Sequence, residues 1–231
     1  MRTVAPPDII RDTTPANPMR RTPHINQGPH VMTDHGPAPE NVAVLVCIGG
    51  RSRRMNGVSK PDLRIGTETI LERLVHATSG AAQHLAVGHR DTALPPLPET
   101  VSHFVERPPY SGPAFALAQA AMTVPRHQPW IALLAGDLPY FDSAAFTALR
   151  CAARPDRVTA FTDETGRPQW LTALWPRSLL VDQAETVEPN GPMRSLYQEV
   201  EIQSLTWNES PRPWQDCDTF AELHRARRIL A

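Results

Sequence analysis

Strand-length apolar runs recur along most of this chain. Val42–Ile48 and Trp130–Ala135 are apolar at every position, a pattern typical of parallel strands that are buried on both faces of a sheet. Val158–Thr162 and Trp170–Trp175 flank the polar segment 163–166, which predicts a hairpin. Three further segments have strand character: His84–Gly88, Val101–Val105 and Ile202–Trp207.

Segments with helical spacing of apolar positions separate these strands. In Thr69–Ser79 the apolar residues recur three and four positions apart, which predicts an amphipathic helix. Ser143–Ala153 is predicted to be a helix with Ser143 as its N-cap. Four more helices are predicted at Pro113–Met122, Ser178–Val187, Met193–Val200 and Thr219–Leu230. This alternation predicts an α/β fold, a three-layer sandwich with a mostly parallel, Rossmann-like sheet and right-handed crossovers.

The first 40 residues have a different composition. They contain eight prolines and no Phe, Trp or Tyr, so they can bury too little apolar surface to offset the entropy lost on ordering. We expect residues 1–40 to be a disordered leader and residues 41–231 to form one folded domain. The alternative is that translation begins at Met32 and that residues 1–31 are not translated.

The ionic composition excludes some classes of partner. The chain has 24 Asp and Glu against 23 Lys and Arg, a net charge of -1, so neither nucleic acid nor a membrane surface is expected as the main partner. Three cysteines without CxxC spacing argue against a disulfide framework and favour the reducing cytoplasm. Of the 23 cations, 22 are arginine and one, Lys60, is lysine.

A glycine-rich basic loop follows the first predicted strand. Gly49 and Gly50 allow the backbone to approach a ligand closely, and four cations follow within the same loop, namely Arg51, Arg53, Arg54 and Lys60. At the carboxyl end of a central strand, this composition predicts a phosphate-binding loop. The loop has neither a Walker A ending nor a GxGxxG fingerprint. It is similar to the nucleotidyltransferase signature Gly-Gly-x-x-x-Arg-Met-Gly-x-x-Lys.

Two acidic motifs lie farther along the chain. Asp137 directly follows the second apolar strand, and Asp216 and Asp218 precede the last predicted helix. Nucleotidyl transfer uses a divalent cation to neutralise phosphate oxygens, and magnesium takes one or two carboxylates in such sites. The simpler alternatives are a loop cap for Asp137 and a helix cap for Asp218.

Together these motifs resemble the molybdenum cofactor guanylyltransferase family, a MobA-like group with the nucleotide-diphospho-sugar-transferase type of fold. The resemblance covers residues 42–230 and depends on five segments: Cys47–Pro61, Tyr110–Pro113, Ala135–Pro139, Gly166–Leu171 and Asp216–Thr219. Gly166–Leu171, followed by Met193–Leu196, is similar to an actinobacterial branch of that family.

The resemblance implies a cytoplasmic, Mg²⁺-dependent enzyme, with Mn²⁺ as an alternative ion. The enzyme would transfer GMP from GTP to the phosphate of molybdopterin-bound molybdenum and release pyrophosphate. Implied partners are GTP, the molybdopterin acceptor and cofactor-delivering proteins, and the implied state is a monomer or weak oligomer. Arg54 and Lys60 would be catalytic, and Asp137 and Asp218 would bind the metal, with Asp216 in reserve. The implied nucleotide-binding residues are Ile48, Gly49, Gly50, Arg51, Gly88, Gly112 and Pro113.

Several alternative functions stay open at this point. Ile48 stands where the family usually has Ala, so the base could be cytosine, which would make the protein a cytidylyltransferase for the same cofactor. A transferase acting on another phosphorylated small molecule has the same motifs. A non-catalytic nucleotide-binding protein and a nucleic-acid-binding module are hypotheses of different classes. The intact charged residues argue against the first of these, and the balanced charge argues against the second.

Overall fold

The computed structural model describes residues 36–49, 59–88 and 99–230. Within these ranges the strands are β1 (Val42–Cys47), β2 (Arg64–Ile65), β3 (Glu68–Thr69), β4 (Gln83–Gly88), β5 (Val101–Val105), β6 (Trp130–Ala135), β7 (Val158–Thr162), β8 (Pro168–Pro176) and β9 (Ile202–Leu205). The α-helices are α1 (Ile70–Ala77), α2 (Pro113–Thr123), α3 (Ser143–Ala152), α4 (Arg177–Ala184) and α5 (Phe220–Leu230).

Seven strands form the central sheet in the order β5-β4-β1-β6-β8-β7-β9, and β2 pairs with β3 in a separate small hairpin. β8 is antiparallel to both of its neighbours, whereas the other strand pairs are parallel. Six of the seven strands therefore run in the same direction. The prediction of a mostly parallel α/β sheet is confirmed.

Helices cover both faces of the sheet. Val44 and Val46 of β1 belong to an apolar cluster with residues of α1, α3 and α5, whereas Leu45 belongs to a second cluster with residues of α2 and α4. Alternate side chains of a strand point to opposite faces, so the continuous apolar run of β1 fills both clusters. Burial of one such Leu stabilises the fold by roughly 1.5–3 kcal/mol. These two layers of helices confirm the predicted three-layer sandwich.

Two predicted helices differ in detail from those in the structure. Asp142, and not Ser143, caps α3, because Asp142 Oδ1 accepts a hydrogen bond of 2.8 Å from the Ala145 N–H. Met193–Tyr197 is a 3₁₀-helix, which fits a short segment that follows Pro192. The predicted hairpin of β7 and β8 is confirmed.

Residues just before β1 pack against the domain. The Arg150 side chain on α3 is buried, and its Nε donates a hydrogen bond of 2.7 Å to the Pro37 carbonyl. Pro39–Asn41 then forms one 3₁₀ turn that leads into β1. The segment 36–40, assigned to the leader from its composition, thus contacts α3, and the rest of the predicted leader lies outside the described residues.

Within the described ranges, no helix is both long enough and apolar enough to cross a membrane.

Candidate active site

The carboxyl ends of the parallel strands meet at one edge of the sheet. β1 lies between β4 and β6, and the chain continues from β1 to β4 on one side before it returns to β6 on the other. Ligands of open α/β sheets bind at such a point, where the strand order reverses. Both the predicted phosphate loop after β1 and Asp137 after β6 begin here.

Gly136 brings the two loops at this edge into contact. Its N–H donates a hydrogen bond of 2.9 Å to the Cys47 carbonyl, and a Cβ at this position would lie 3.0 Å from both the Cys47 oxygen and Pro61 Cγ. A side chain would therefore push these segments apart. Because Pro61 packs against Gly136, Lys60 is held beside Asp137.

Lys60 joins two carboxylates that are distant in the sequence. Its Nζ lies 2.9 Å from Asp137 Oδ2 and also hydrogen-bonds Asp218 Oδ1. Burial by itself lowers the pKa of Lys60, but the hydrogen bonds that Lys60 donates to Asp218 and Asp137 outweigh it, so that the pKa is raised above 10.5. The ammonium is therefore charged at neutral pH.

The amino end of α5 places Asp218. Glu222 Oε2 accepts hydrogen bonds from the N–H groups of Asp218 and Thr219, at 2.9 and 2.8 Å. Thr219 Oγ1 accepts in return from the Glu222 N–H at 3.2 Å, which completes the capping box predicted by the Thr-x-x-Glu spacing. Asp218 lies just outside this cap and is held at its backbone, which leaves its carboxylate available to Lys60.

Asp216 interacts electrostatically with the same cluster. Desolvation raises the pKa of its carboxyl above 3.8, and the negative charges of Asp137 and Asp218 raise it further, against the opposing effect of Lys60. Between Asp216 and Asp218, the Cys217 side chain is buried in the core. In the described ranges, no group of three or more His, Cys, Asp or Glu side chains forms a complete protein metal site. The arrangement provides two carboxylates around one cation, with Asp216 nearby.

A cavity of about 380 Å³ opens at the same edge of the sheet, where β1 and β4 end at Cys47 and Gly88. Four of the sequence-predicted nucleotide residues, Gly49, Gly88, Gly112 and Pro113, line it. Its other lining residues are Cys47, Val87, Glu106, Tyr110, Ala116 and Asn190. Three of the ten lining residues are glycines. Because glycine has no side chain, a flat ligand can lie directly against the backbone there.

Glu106 is a buried carboxylate in this cavity that the sequence interpretation missed. It follows β5 directly and is 4% exposed. Its Oε2 accepts hydrogen bonds from the Ser111 N–H at 3.1 Å and the Ser111 hydroxyl at 2.6 Å, and its Oε1 accepts from the Tyr110 N–H at 3.3 Å. An acidic residue immediately after a predicted parallel strand was the signal that could have identified it.

Asn190 closes the cavity from a distant part of the chain and was also missed. Its N–H donates a hydrogen bond of 2.6 Å to the Ser111 carbonyl. Gly112 has a φ of +89°, and a Cβ there would lie 3.4 Å from the Asn190 Cα. Glycine at position 112 therefore permits both the turn before α2 and the close approach of the Asn190 loop.

The remaining predicted site residues divide into two groups. The Ile48 side chain is buried in the apolar cluster on the α1 side of the sheet, whereas its neighbour Cys47 lines the cavity. The bulk of Ile48 therefore does not narrow the cavity, and its backbone N–H is bonded to the Val87 carbonyl. Gly50, Arg51 and Arg54 lie outside the described residues.

Comparison with known proteins identifies a family. A domain model of the MobA-like NTP transferases matches residues 44–204. The probable molybdenum cofactor guanylyltransferase of Opitutus terrae is 32% identical over 143 residues, which span 60% of this chain and 68% of that protein. The molybdenum cofactor guanylyltransferase of Mesorhizobium japonicum is 26% identical over 211 residues, 82% of this chain and 96% of that protein.

The fold is shared with a solved structure. The molybdopterin-guanine dinucleotide biosynthesis protein A of Archaeoglobus fulgidus has a TM-score of 0.59 at 15% identity, covering 81% of this chain and 97% of that one. Placement in an actinobacterial branch stays a prediction. The matched segment 44–204 contains the predicted phosphate loop, Lys60 and Asp137, and this chain belongs to the MobA-like NTP transferase family.

Proposed function

We propose that this nucleotidyltransferase transfers GMP from GTP to the terminal phosphate of molybdopterin-bound molybdenum and releases pyrophosphate. Two relatives, which match this chain over 68% and 96% of their own length, are named as a probable molybdenum cofactor guanylyltransferase and a molybdenum cofactor guanylyltransferase. The observation that carries the proposal is the cavity at the carboxyl ends of β1 and β4, which contains the Glu106 carboxylate. One of its wall residues, Cys47, accepts a hydrogen bond from Gly136, the residue before Asp137 of the Lys60, Asp137 and Asp218 cluster.

Glu106 supports guanine as the base. The Watson–Crick edge of guanine presents two adjacent donors, N1–H and the N2 amino group, and a carboxylate accepts from both. The same edge of cytosine has a single donor group, the N4 amino group, beside the acceptors N3 and O2, so a carboxylate can accept from one group only and repels the neighbouring N3. Ser111 and Tyr110 hold Glu106 in place, so the carboxylate is already oriented before a base arrives.

Lys60 and Arg54 would neutralise the triphosphate. Lys60 lies at the carboxyl edge of the sheet, beside Asp137. In the reaction an oxygen of the acceptor phosphate attacks the α-phosphorus of GTP, the bond from that phosphorus to the bridging oxygen breaks, and pyrophosphate carries away the electron pair. Cations that contact the β- and γ-phosphates stabilise the charge that develops on this leaving group.

Asp137 and Asp218 fit a divalent cation. Their oxygens already converge on one cationic centre, the Lys60 ammonium, and two carboxylates suit magnesium, which completes its shell with water and phosphate oxygens. We assign Asp137 and Asp218 as its ligands and Asp216 as the reserve. When bound, the ion would neutralise phosphate oxygens and orient the triphosphate. Because the acceptor is an ionised phosphate, the protein needs no strong general base.

A nucleotide panel tests the proposal. Pyrophosphate release would be measured with GTP, CTP, ATP and UTP in the presence of the molybdopterin-bound acceptor and Mg²⁺. We expect turnover with GTP, and Glu106→Gln should lower the ratio of kcat/KM for GTP over CTP by about tenfold or more, since a desolvated hydrogen bond to a charged group contributes about 1.5–3 kcal/mol.

The matched control is Glu99→Gln, which removes an exposed carboxylate before β5, at the opposite edge of the sheet. That variant should keep the wild-type ratio of kcat/KM for GTP over CTP. A wild-type enzyme that prefers CTP would exclude guanylyl transfer as its main activity.

A further inference from the structure

The cation between Asp137 and Asp218 belongs to the protein itself. The Lys60 ammonium hydrogen-bonds one oxygen of each carboxylate. The side chains of Lys60, Asp137 and Asp218 are 21%, 20% and 28% exposed, so water screens this cluster only in part. An ion pair of this kind is stronger than one at a fully exposed surface.

Packing holds the three side chains together independently of any ligand. Gly136 fixes the Lys60–Pro61 turn against the segment that carries Asp137. The Thr219 and Glu222 capping box fixes the backbone of Asp218. Only the Lys60 side chain, with its four-carbon stem, can move away without disturbing the backbone of these elements.

We propose that Lys60 is an exchangeable counter-ion: in the unliganded protein its ammonium holds the position between Asp137 and Asp218, and a divalent cation binds there tightly only after phosphate oxygens have drawn the ammonium away. The identity of the phosphate ligand rests on the proposed function, whereas the competition between Lys60 and the cation does not.

The physical basis is competition for the same oxygens. Asp137 Oδ2 and Asp218 Oδ1 both contact the Lys60 ammonium, and a second cation bound to these oxygens would lie within a few ångströms of the ammonium and be repelled by it. A triphosphate removes this conflict because its oxygens offer Lys60 a new partner. The nucleotide therefore favours cation binding and the cation favours nucleotide binding, by the same factor.

This exchange has a consequence for the unliganded enzyme. The free protein would bind Mg²⁺ weakly and would keep the Lys60 ammonium between its two carboxylates, which reduces the repulsion between them. The cation and the triphosphate would be bound together, and either alone would bind poorly.

The test measures Mn²⁺ binding without any nucleotide. The dissociation constant of Mn²⁺ would be determined by electron paramagnetic resonance and calorimetry for the full-length wild type and for Lys60→Met. We expect Lys60→Met to bind Mn²⁺ at least about tenfold more tightly, because the ammonium that competes for the oxygens of Asp137 and Asp218 is removed. Mn²⁺ should also raise the melting temperature of Lys60→Met more than that of the wild type.

Two controls make the result specific. Arg126→Met removes one positive charge from the exposed loop before β6, at the opposite edge of the sheet, and should leave Mn²⁺ affinity at the wild-type value. Addition of Asp137→Asn to Lys60→Met should abolish the gain. If Lys60→Met is unstable without metal, Lys60→Gln provides a polar variant for the same titration, and circular dichroism reports its folding.

The proposal would be overturned if both Lys60 variants bound Mn²⁺ no more tightly than the wild type. It would also be overturned if the gain in Mn²⁺ affinity of Lys60→Met survived the addition of Asp137→Asn. These outcomes are independent of guanylyl transfer. If the wild type rejects GTP but Lys60→Met binds Mn²⁺ more tightly, the proposed function is contradicted and the counter-ion exchange is supported. If the wild type turns over GTP but neither Lys60 variant binds Mn²⁺ more tightly, the proposed function is supported and the counter-ion exchange is contradicted.

Discussion

Lys60 combines a compositional oddity with a defined place in the fold. It is the single lysine among 23 cationic residues, and its ammonium bridges two carboxylates that lie 77 and 158 positions away in sequence. An ammonium is a compact charge with donors in three directions, whereas a guanidinium is a broad planar fork. The space between Asp137 and Asp218 suits the first shape.

Lys60→Arg is expected to lose most activity although it conserves the charge. The larger guanidinium cannot take the ammonium position without displacing Asp137 or Asp218, and a displacement of about 1 Å in such a site costs roughly 100-fold in rate. Steady-state pyrophosphate release with GTP measures the loss, and the melting temperature checks that the variant is folded. Wild-type turnover in Lys60→Arg would show that only the charge matters.

His84 carries a pH dependence of stability. Its imidazole is 6% exposed and lies 2.8 Å from the Thr78 hydroxyl, which itself donates to the Leu74 carbonyl. Burial lowers the pKa of His84 below 6.5, against the opposing effect of a hydrogen bond to the Thr78 backbone. The folded protein therefore keeps this imidazole neutral at a pH where the unfolded chain is already protonated.

Stability should accordingly fall as the pH drops below 6.5 and continue to fall until the pH passes the lowered pKa of the folded state. Urea unfolding of wild type and His84→Gln between pH 8 and pH 5 should give a free-energy difference that changes in this window. His127→Gln, at an exposed position, should follow the wild type. A pH-independent difference between wild type and His84→Gln would contradict the assignment.

At the scale of elements, the start of α5 connects stability to the site. The capping box of Thr219 and Glu222 satisfies N–H groups that would otherwise lack partners, and one of its hydrogen bonds reaches the Asp218 backbone. The motif was readable from sequence as a cap. Its effect on Asp218 depends on where α5 lies in the fold.

Glu222→Ala is expected to lower the unfolding free energy by about 1 kcal/mol, the usual cost of a lost cap, and to reduce kcat because Asp218 loses its backbone support. Glu222→Gln keeps a hydrogen-bond acceptor and should recover most of both. Chemical unfolding and steady-state kinetics on the same preparations measure the two effects. A loss of stability in Glu222→Ala without any loss of kcat would show that Glu222 is only a helix cap.

At the scale of the whole molecule, the strand order creates the site. The chain passes from β1 outward to β4 and β5, then crosses back to β6, so the carboxyl ends of β1 and β6 lie side by side. The cavity is completed by Asn190, which the long segment after α4 brings to the β5–α2 loop. Residues from four regions of the chain thus surround one ligand position.

The start of the folded domain is testable at this scale. Removal of residues 1–35 should leave the melting temperature and turnover close to those of the full chain, because that segment has too few apolar residues to form a core. Removal of residues 1–40 should lower the melting temperature, since it deletes the Pro37 carbonyl that accepts from buried Arg150. Differential scanning calorimetry measures the melting temperatures of both truncated proteins. Equal values would contradict a stabilising role of segment 36–40.

The sequence by itself determined the elements, the fold class and the charged motifs, because these depend on local patterns. Apolar periodicity located the strands and helices, and the motifs around Lys60, Asp137 and Asp218 predicted a phosphate site. The sequence did not identify Glu106 or Asn190, because neither belongs to a recognisable local motif and both reach the cavity through loop packing.

Only the tertiary structure decided which charges meet. It paired Lys60 with Asp137 and Asp218 and placed the Ile48 side chain in the core and away from the cavity. Such contacts join residues far apart along the chain, and their geometry follows from strand order and from close packing at Gly136. Local periodicity contains no information on distances of that kind, since it records only which neighbours along the chain share a face.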